Sequence, residues 1–419
     1  MLVFKFGGAS VKSPEAVKNL TEIIKLYNDK LVVVVSAMGK MTNALEEVVF
    51  RYFHQKEGLE DAILMVEEYH YGIMSGLFPS EKHEVYSKVN QLFDQLKSRV
   101  SAPPSLNYDY DYDQIVSFGE VLSTTIVAEY LKYSGLKSRW MDVRRSLKSD
   151  STYREAKIDW QLSTELLKKD FVFGDDQILL TQGFLASTKN NQTTTLGREG
   201  SDYTAAILAY ILDAEKVVIW KDVPGVLNAD PKWFDDTVLL SNLSYRDAIE
   251  LAYYGASVIH PKTIQPLKQK DIKLQVKSFV HPAEAGTLVG NEHYEKLVPS
   301  FIFKMDQVLI SISAKDFSFI AEENLVLILG VFAKNGFRVN LMQNSAVSFM
   351  LCVNNDKTRI PRVIKELEEH FSVKWENGLE LITIRYFDES TISRVLVNKD
   401  KVLEQRSKET IQMVVKDLG

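Results

Sequence analysis

Cysteine is nearly absent from this chain: Cys352 is the only one among 419 residues, so no intrachain disulfide can form. It sits in the apolar run FMLCV, which reads as core, and the expected setting is a reducing compartment. Long apolar runs are missing as well. No stretch approaches the ~18 residues a membrane-spanning helix needs, and Met1–Phe6 leads into a strand pattern with no signal-peptide core. Excess charge of one sign is also lacking: the formal charge is −6 and the lysines and arginines are scattered. Neither a nucleic-acid nor a membrane partner is expected from such a surface. What remains is a globular composition, 45% hydrophobic and 25% charged. It suits a cytoplasmic protein of about two or three domains.

The opening, MLVFKFGGASVKSPEAVKNLTEIIKLYNDKLVVVVSAMGKMTNAL, reads as strand, glycine pair, helix, strand. Ser13 suits an N-cap and Pro14 a first helical turn. Val32–Val35 is uniformly β-branched, as in a strand covered on both faces, so a parallel sheet of an α/β protein is expected. Residues 45–100 read as amphipathic helix, the Tyr-Asp alternation at 108–113 as loop, and Ser117–Tyr133 as helix. Strands are predicted near 138–143, 178–182 and 217–220. Character changes near Gly290–Pro299. Beyond it the order β-α-β-β-α-β is the ferredoxin-like pattern, and the last residues read as two further strands and a helical tail.

Several constellations carry chemistry. Lys5-Phe6-Gly7-Gly8-Ala9-Ser10 puts a lysine at a strand end, then two glycines and a helix. Glycines admit an anion to backbone N–H groups and a helix N-terminus adds its dipole, so the hexapeptide suits a phosphate. Its spacing is neither a Walker loop nor GxGxxG, and a tight turn with a solvated lysine is the alternative. Ser36-Ala37-Met38-Gly39 with Thr42 repeats the architecture, as a ligand loop or an ordinary βα loop. Glu120 at a helix start is a dipole partner or an acceptor for an amine. In TLGREGSDYTAA, Arg198 suits a bidentate clamp on a carboxylate and Ser201 a donor to the same group. Asp202 suits holding lysines or reaching a metal; a capped helix with a surface arginine is the alternative. Lys221-Asp222, the Pro224-Gly225 turn and Asp230-Pro231-Lys232 follow a buried strand and suit a nucleotide.

Taken in order, KFGGAS, VVVVSAMGKMTNAL, SFGE, TLGREGSDYTAA, IWKDVPGVLNADPK and YYGASVIHPKTIQPL resemble the aspartokinases. The resemblance implies the amino-acid kinase fold, a three-layer αβα sandwich with a mainly parallel sheet, over residues 1–296. It implies an α+β ferredoxin-like ACT region over 297–419, one unit at about 313–374 inserted in a second, truncated one formed by 297–312 and 375–419. The implied reaction is phosphorylation of L-aspartate to 4-phospho-L-aspartate by ATP with Mg²⁺. Lys5 is then expected at the phosphates, with Phe6, Gly7, Gly8 and Ser36 beside the nucleotide, and Asp202 organising the charges. Arg198 is expected to clamp the α-carboxylate and Glu120 the amino group, with Thr42 and Ser201 lining the pocket. Lys221, Asp222, Leu227, Lys232 and Ser257 occupy the nucleotide positions. No metal ligand from the protein is expected.

The chain departs from that family at several places. Lys221 stands where many members have threonine, Leu227 replaces a common tyrosine, and Lys232 an arginine. Ser257 replaces a lysine that approaches the nucleotide, and Lys221 is expected to compensate for it. Asn340, Gln343 and Ser345 fall in the stretch that holds the effector in regulated relatives, but Asn340 replaces an aspartate of lysine-sensitive members. Lysine sensitivity, threonine sensitivity and none remain open, and ACT units imply a homodimer. The competing readings are another amino-acid kinase, acting on acetylglutamate or glutamate, and a non-catalytic amino-acid sensor.

Overall fold

The computed structural model describes residues 1–256, 259–292, 298–316 and 318–418. The chain packs as two compact units, one of Met1–Val226, Leu239–Ile249 and Val258–His293, the other of Leu227–Val238, Glu250–Ser257 and Tyr294–Gly419. Segments 227–238 and 250–257, inside the stretch read as one catalytic domain, thus belong to the second unit.

The strands of the first unit are β1 (Leu2–Phe6), β2 (Leu31–Val35), β3 (Ser138–Met141), β4 (Ile178–Gln182), β5 (Leu185–Ser187), β6 (Thr193–Thr195), β7 (Lys216–Lys221), β8 (Asn242–Ser244), β9 (Lys273–Ser278) and β10 (Thr287–Gly290). Its main sheet runs β3-β4-β2-β1-β7-β9-β10-β8. The pairs from β3 across to β9 are parallel, and β10 is antiparallel to β9. β5 and β6 form a separate antiparallel hairpin. Every residue of β1, β2 and β4 is buried, and β2 is an unbroken apolar run because both of its faces are covered; the polar Lys5 of β1 and Thr181-Gln182 of β4 lie toward their carboxyl ends.

On one face lie α1 (Pro14–Lys25), α2 (Met41–Phe53), α3 (Leu59–Leu77), α4 (Glu84–Ser101), α5 (Tyr108–Val116) and α6 (Phe118–Tyr133), sharing a core with Phe4, Phe6, Val33, Val35 and Trp220. On the other lie α7 (Trp160–Asp170) and α8 (Gly200–Ile211), with α9 (Tyr245–Tyr254) following β8 and α10 (Pro261–Gln269) packed on α8. Ala205, Ala206 and Ala209 of α8 are fully buried, and small side chains there let the helix approach β1, β2 and β7 closely. Ser13 caps α1 as expected, its Oγ accepting from Ala16 N at 3.2 Å. The Tyr-Asp segment at 108–113, expected to be loop, is the helix α5. Asn107 Oδ1 caps it, accepting from Asp109 N and Tyr110 N, and Asp109 and Asp111 face the positive end of its dipole.

The second unit carries β11 (Ser300–Ala314), α11 (Glu322–Lys334), β12 (Val339–Asn344), β13 (Ser348–Asn354), α12 (Ile360–Glu368), β14 (Phe371–Arg385), α13 (Glu389–Val395), β15 (Lys399–Arg406) and β16 (Thr410–Asp417). Its sheet is antiparallel, in the order β12-β13-β11-β14-β16-β15. The predicted β-α-β-β-α-β order is present from Val308 onward. β11 and β14 are long enough to pair twice, with a register shift between Lys304 and Leu309, so two ferredoxin-like halves share one sheet. The predicted helical tail is instead the strand β16. Ile411, Met413 and Val415 alternate into the core with Phe301, Ile382, Ile384, Ala229 and Phe234, a period-two pattern that a helix could not bury.

Candidate active site

Register decides where the chemistry gathers. Phe6 lies opposite both Val35 and Trp220, and Val35 lies opposite Gln182, so β1, β2, β4 and β7 end level with one another. Their carboxyl ends release Gly7-Gly8, Ser36-Ala37, Gly183 and Lys221-Asp222 along one edge, where open α/β sheets bind ligands. The first two loops touch: Gly39 N donates to Gly8 O at 3.0 Å. A Cβ on Gly8 would stand 2.7 Å from Gly39 O, so this close approach requires glycine.

A cavity of about 840 Å³ opens at this edge, and Lys5, Ser36, Thr42, Glu120, Arg198, Ser201, Asp202 and Lys221 all line it. Asp202, in the first turn of α8, is buried, with Lys5 Nζ 2.6 Å from Oδ1 and Lys221 Nζ 3.6 Å from Oδ2. Burial pushes its carboxyl up, but Lys5 and Lys221 outweigh that and hold it below the usual carboxylate range. Lys5 Nζ also lies over the glycine loop, 3.3 Å from where a Cβ on Gly7 would sit. Two ammonium groups are thus fixed around one carboxylate at the mouth of the glycine loop.

Glu120 is the second buried acid. Its Oε1 accepts from Ala37 N at 3.3 Å, while Oε2 has no hydrogen-bond partner among the described residues. Burial pushes the carboxyl up to about 8, with the Ala37 N–H and Lys5 pulling partly back. The folded chain therefore holds a proton there that the unfolded chain, with its ordinary value of 4.5, releases. Stability from this group is full below about pH 4.5 and is lost as pH climbs toward about 8. Melting temperature measured across that window should fall in the native chain and fall less in Glu120→Gln. An unchanged slope would remove Glu120 as the cause.

Arg198 is exposed at the cavity wall, and no carboxylate pairs with it among the described residues. Glu199, next to it, adopts a left-handed backbone (φ 54°). Burial raises the Glu199 carboxyl, and Lys221 draws it back.

Other expected residues lie elsewhere. The Phe6 side chain is fully buried and stacked on Trp220 with centroids 5.9 Å apart, so only its backbone can meet a ligand. Asp222 is exposed and outside the cavity wall; Gly7 and Gly8, half-buried, also lie outside it and present backbone only. Leu227 and Lys232 belong to the second unit, where Lys232 N donates to Asp230 Oδ1 at 2.9 Å. Ser257 falls outside the described residues. Of the effector residues, Asn340 is already engaged at both ends of its amide. Its Oδ1 accepts from Lys304 Nζ at 2.8 Å, and its Nδ2 donates to Gln307 Oε1 at 2.8 Å and Asn354 Oδ1 at 2.7 Å. Ser345 closes a turn with Ser348, whereas Gln343 Oε1 is buried without a hydrogen-bond partner among the described residues.

The wall also holds residues that sequence reasoning missed: Glu46, Asp109, Tyr112, Phe184 and the 152–155 loop with Arg154. Tyr112 Oη donates to Glu46 Oε1 at 2.6 Å, and the Arg154 guanidinium lies 4.3 Å over the Tyr112 ring. The Tyr-Asp alternation was the only visible signal for this side of the cavity.

A model of the amino acid kinase family matches residues 1–278, the greater part of the chain. The chain belongs to that family. Within it, the chain is 29% identical to lysine-sensitive aspartokinase 3 of Escherichia coli over 92% of its own length and 86% of that protein's. It is 32% identical to a chloroplastic bifunctional aspartokinase/homoserine dehydrogenase 1 of Arabidopsis thaliana, over 68% of its own length and 32% of that larger protein. Among solved structures, E. coli aspartokinase III in complex with aspartate and ADP superposes with a TM-score of 0.84 at 26% identity, over 99% of this chain and 96% of that one. That superposition takes in both the sheet-and-helix unit and the antiparallel-sheet unit of this chain.

Proposed function

We propose that this chain is an aspartate kinase that transfers the γ-phosphoryl group of ATP to the side-chain carboxylate of L-aspartate, giving 4-phospho-L-aspartate. The observation that carries the reading is one cavity with two kinds of end. An arginine with no ion pair among the described residues and a buried carboxyl with an open oxygen suit the α-carboxylate and ammonium of an amino acid, the incoming ammonium favouring the ionised carboxyl; two lysines around Asp202 suit phosphates. The acceptor carboxylate is anionic at neutral pH, so no general base is required. Its oxygen forms the new bond to Pγ while the bond from Pγ to the β–γ bridging oxygen breaks, and ADP leaves with that electron pair. Catalysis is then positioning and charge neutralisation, with Lys5 and Lys221 at the phosphates and Arg198, Glu120, Thr42 and Ser201 at the amino acid.

Among the described residues no group of three or more His, Cys, Asp or Glu side chains could hold a metal. Mg²⁺, in this reading, arrives on the phosphates of ATP and neutralises their charge. In this reading residues 1–296 form the catalytic domain and 297–419 an ACT region, through which a cytoplasmic homodimer assembles. The reaction opens the route toward lysine, threonine, methionine and diaminopimelate. The E. coli relative is named lysine-sensitive; with Asn340 tied to Lys304, sensitivity to lysine or threonine here rests on Gln343 and Ser345. The direct test is ADP release from MgATP on adding L-aspartate, with glutamate and acetylglutamate as controls. ADP release with either control and not with aspartate rejects the reading; release with none supports an amino-acid sensor.

A further inference from the structure

Asp113 lies outside the cavity wall and has no exposed surface, yet its carboxylate gathers four hydrogen-bond contacts from two separate segments. Arg154 N lies 3.2 Å from Oδ1 and 3.0 Å from Oδ2. Thr195 N donates to Oδ2 at 2.9 Å, and Thr195 Oγ1 donates to Oδ1 at 2.7 Å. Those segments carry the two arginines of the cavity wall, Arg154 and, three residues beyond Thr195, Arg198. They are also joined to each other, since Ala156 N donates to Thr195 O at 3.0 Å. Gly197 has φ 75°, and a Cβ there would stand 3.1 Å from Arg154 O, so the two backbones run in close contact up to Arg198. Arg154 itself holds a left-handed backbone (φ 66°), which a non-glycine residue keeps only where its surroundings impose it.

We propose that Asp113 is a positioning residue for substrate recognition: by tying Arg154 and Thr195 to α5, it sets where the loop arginines Arg154 and Arg198 meet the amino-acid substrate. The side chain must accept from two backbone N–H groups and also bond the Thr195 hydroxyl, which no apolar side chain can do. This rests on the aspartate-kinase reading for the identity of the substrate, but not for the position of the arginines.

The test is steady-state kinetics of Asp113→Ala, which removes every one of these bonds, with each substrate varied. The expected result is a KM for the amino acid raised roughly 10- to 100-fold, with KM for ATP within about twofold. In an Arg198→Ala background the same change should cost less than in the native chain, because only the share exerted through Arg154 remains. Should Asp113→Ala fail to fold, Thr195→Val removes the hydroxyl donor alone, and its KM for the amino acid should rise roughly 3- to 10-fold. An unchanged amino-acid KM, equal rises in both KM values, or full additivity with Arg198→Ala would overturn the proposal. A native chain that phosphorylates a different amino acid defeats the aspartate reading, and the Asp113 comparison is then made with that amino acid.

Discussion

Lys5→Met is expected to lower kcat on the order of 10²- to 10³-fold, the usual cost of removing one fixed positive group from a site where charge develops. Lys5 is largely buried at the end of β1, and methionine keeps its apolar stem, so the strand should still pack. What is lost is the ammonium that lies over Gly7 and pairs with Asp202 at 2.6 Å. Asp202 would keep only the longer Lys221 contact at 3.6 Å, so its carboxyl should rise from its depressed value. KM for aspartate should change far less than kcat, because Lys5 serves the phosphoryl end. A Lys5→Met chain with native kcat would mean that the lysine merely neutralises Asp202.

Arg198→Ala should do the reverse, raising KM for aspartate about 100-fold with a smaller effect on kcat, as expected for the loss of a charge-assisted bidentate contact. The side chain is exposed and makes no ion pair among the described residues, so the melting temperature should not move. Arg198→Lys should recover only part of the affinity, because an ammonium cannot reproduce the planar fork. Equal losses in affinity for aspartate and ATP would place Arg198 at the nucleotide instead.

Local sequence carried much of this site because its parts sit at strand ends. Lys5-Phe6-Gly7-Gly8, Ser36–Thr42 and Arg198–Asp202 each follow a buried strand or hairpin, and the parallel register brings those ends together. Glu120 was weaker as a sequence signal; its meaning came from complete burial and an open oxygen. Phe6 can contribute only its backbone, because a strand alternates its faces, and position 6 points into the core shared with Trp220 while Lys5 points to the other face. Tyr112, Asp113 and Arg154 were illegible as a group. Asp-Tyr alternation resembles no helix pattern, yet Asn107 starts a helix there and the buried acids find partners across the chain. At the carboxyl end, VLEQRSKETIQMVVKDLG has the helix-compatible residues that suggested a tail, but the alternating Ile411, Met413 and Val415 needed the facing strand β14 to be read as β16.

Hydroxylamine trapping tests the central claim most directly, because it captures the acyl phosphate rather than its by-product. Incubated with MgATP, L-aspartate and hydroxylamine, the chain should give β-aspartyl hydroxamate, strictly dependent on ATP and nearly abolished in Lys5→Met. Hydroxamate from glutamate but not aspartate, or none from aspartate while the chain is folded and saturated with both substrates, would contradict it.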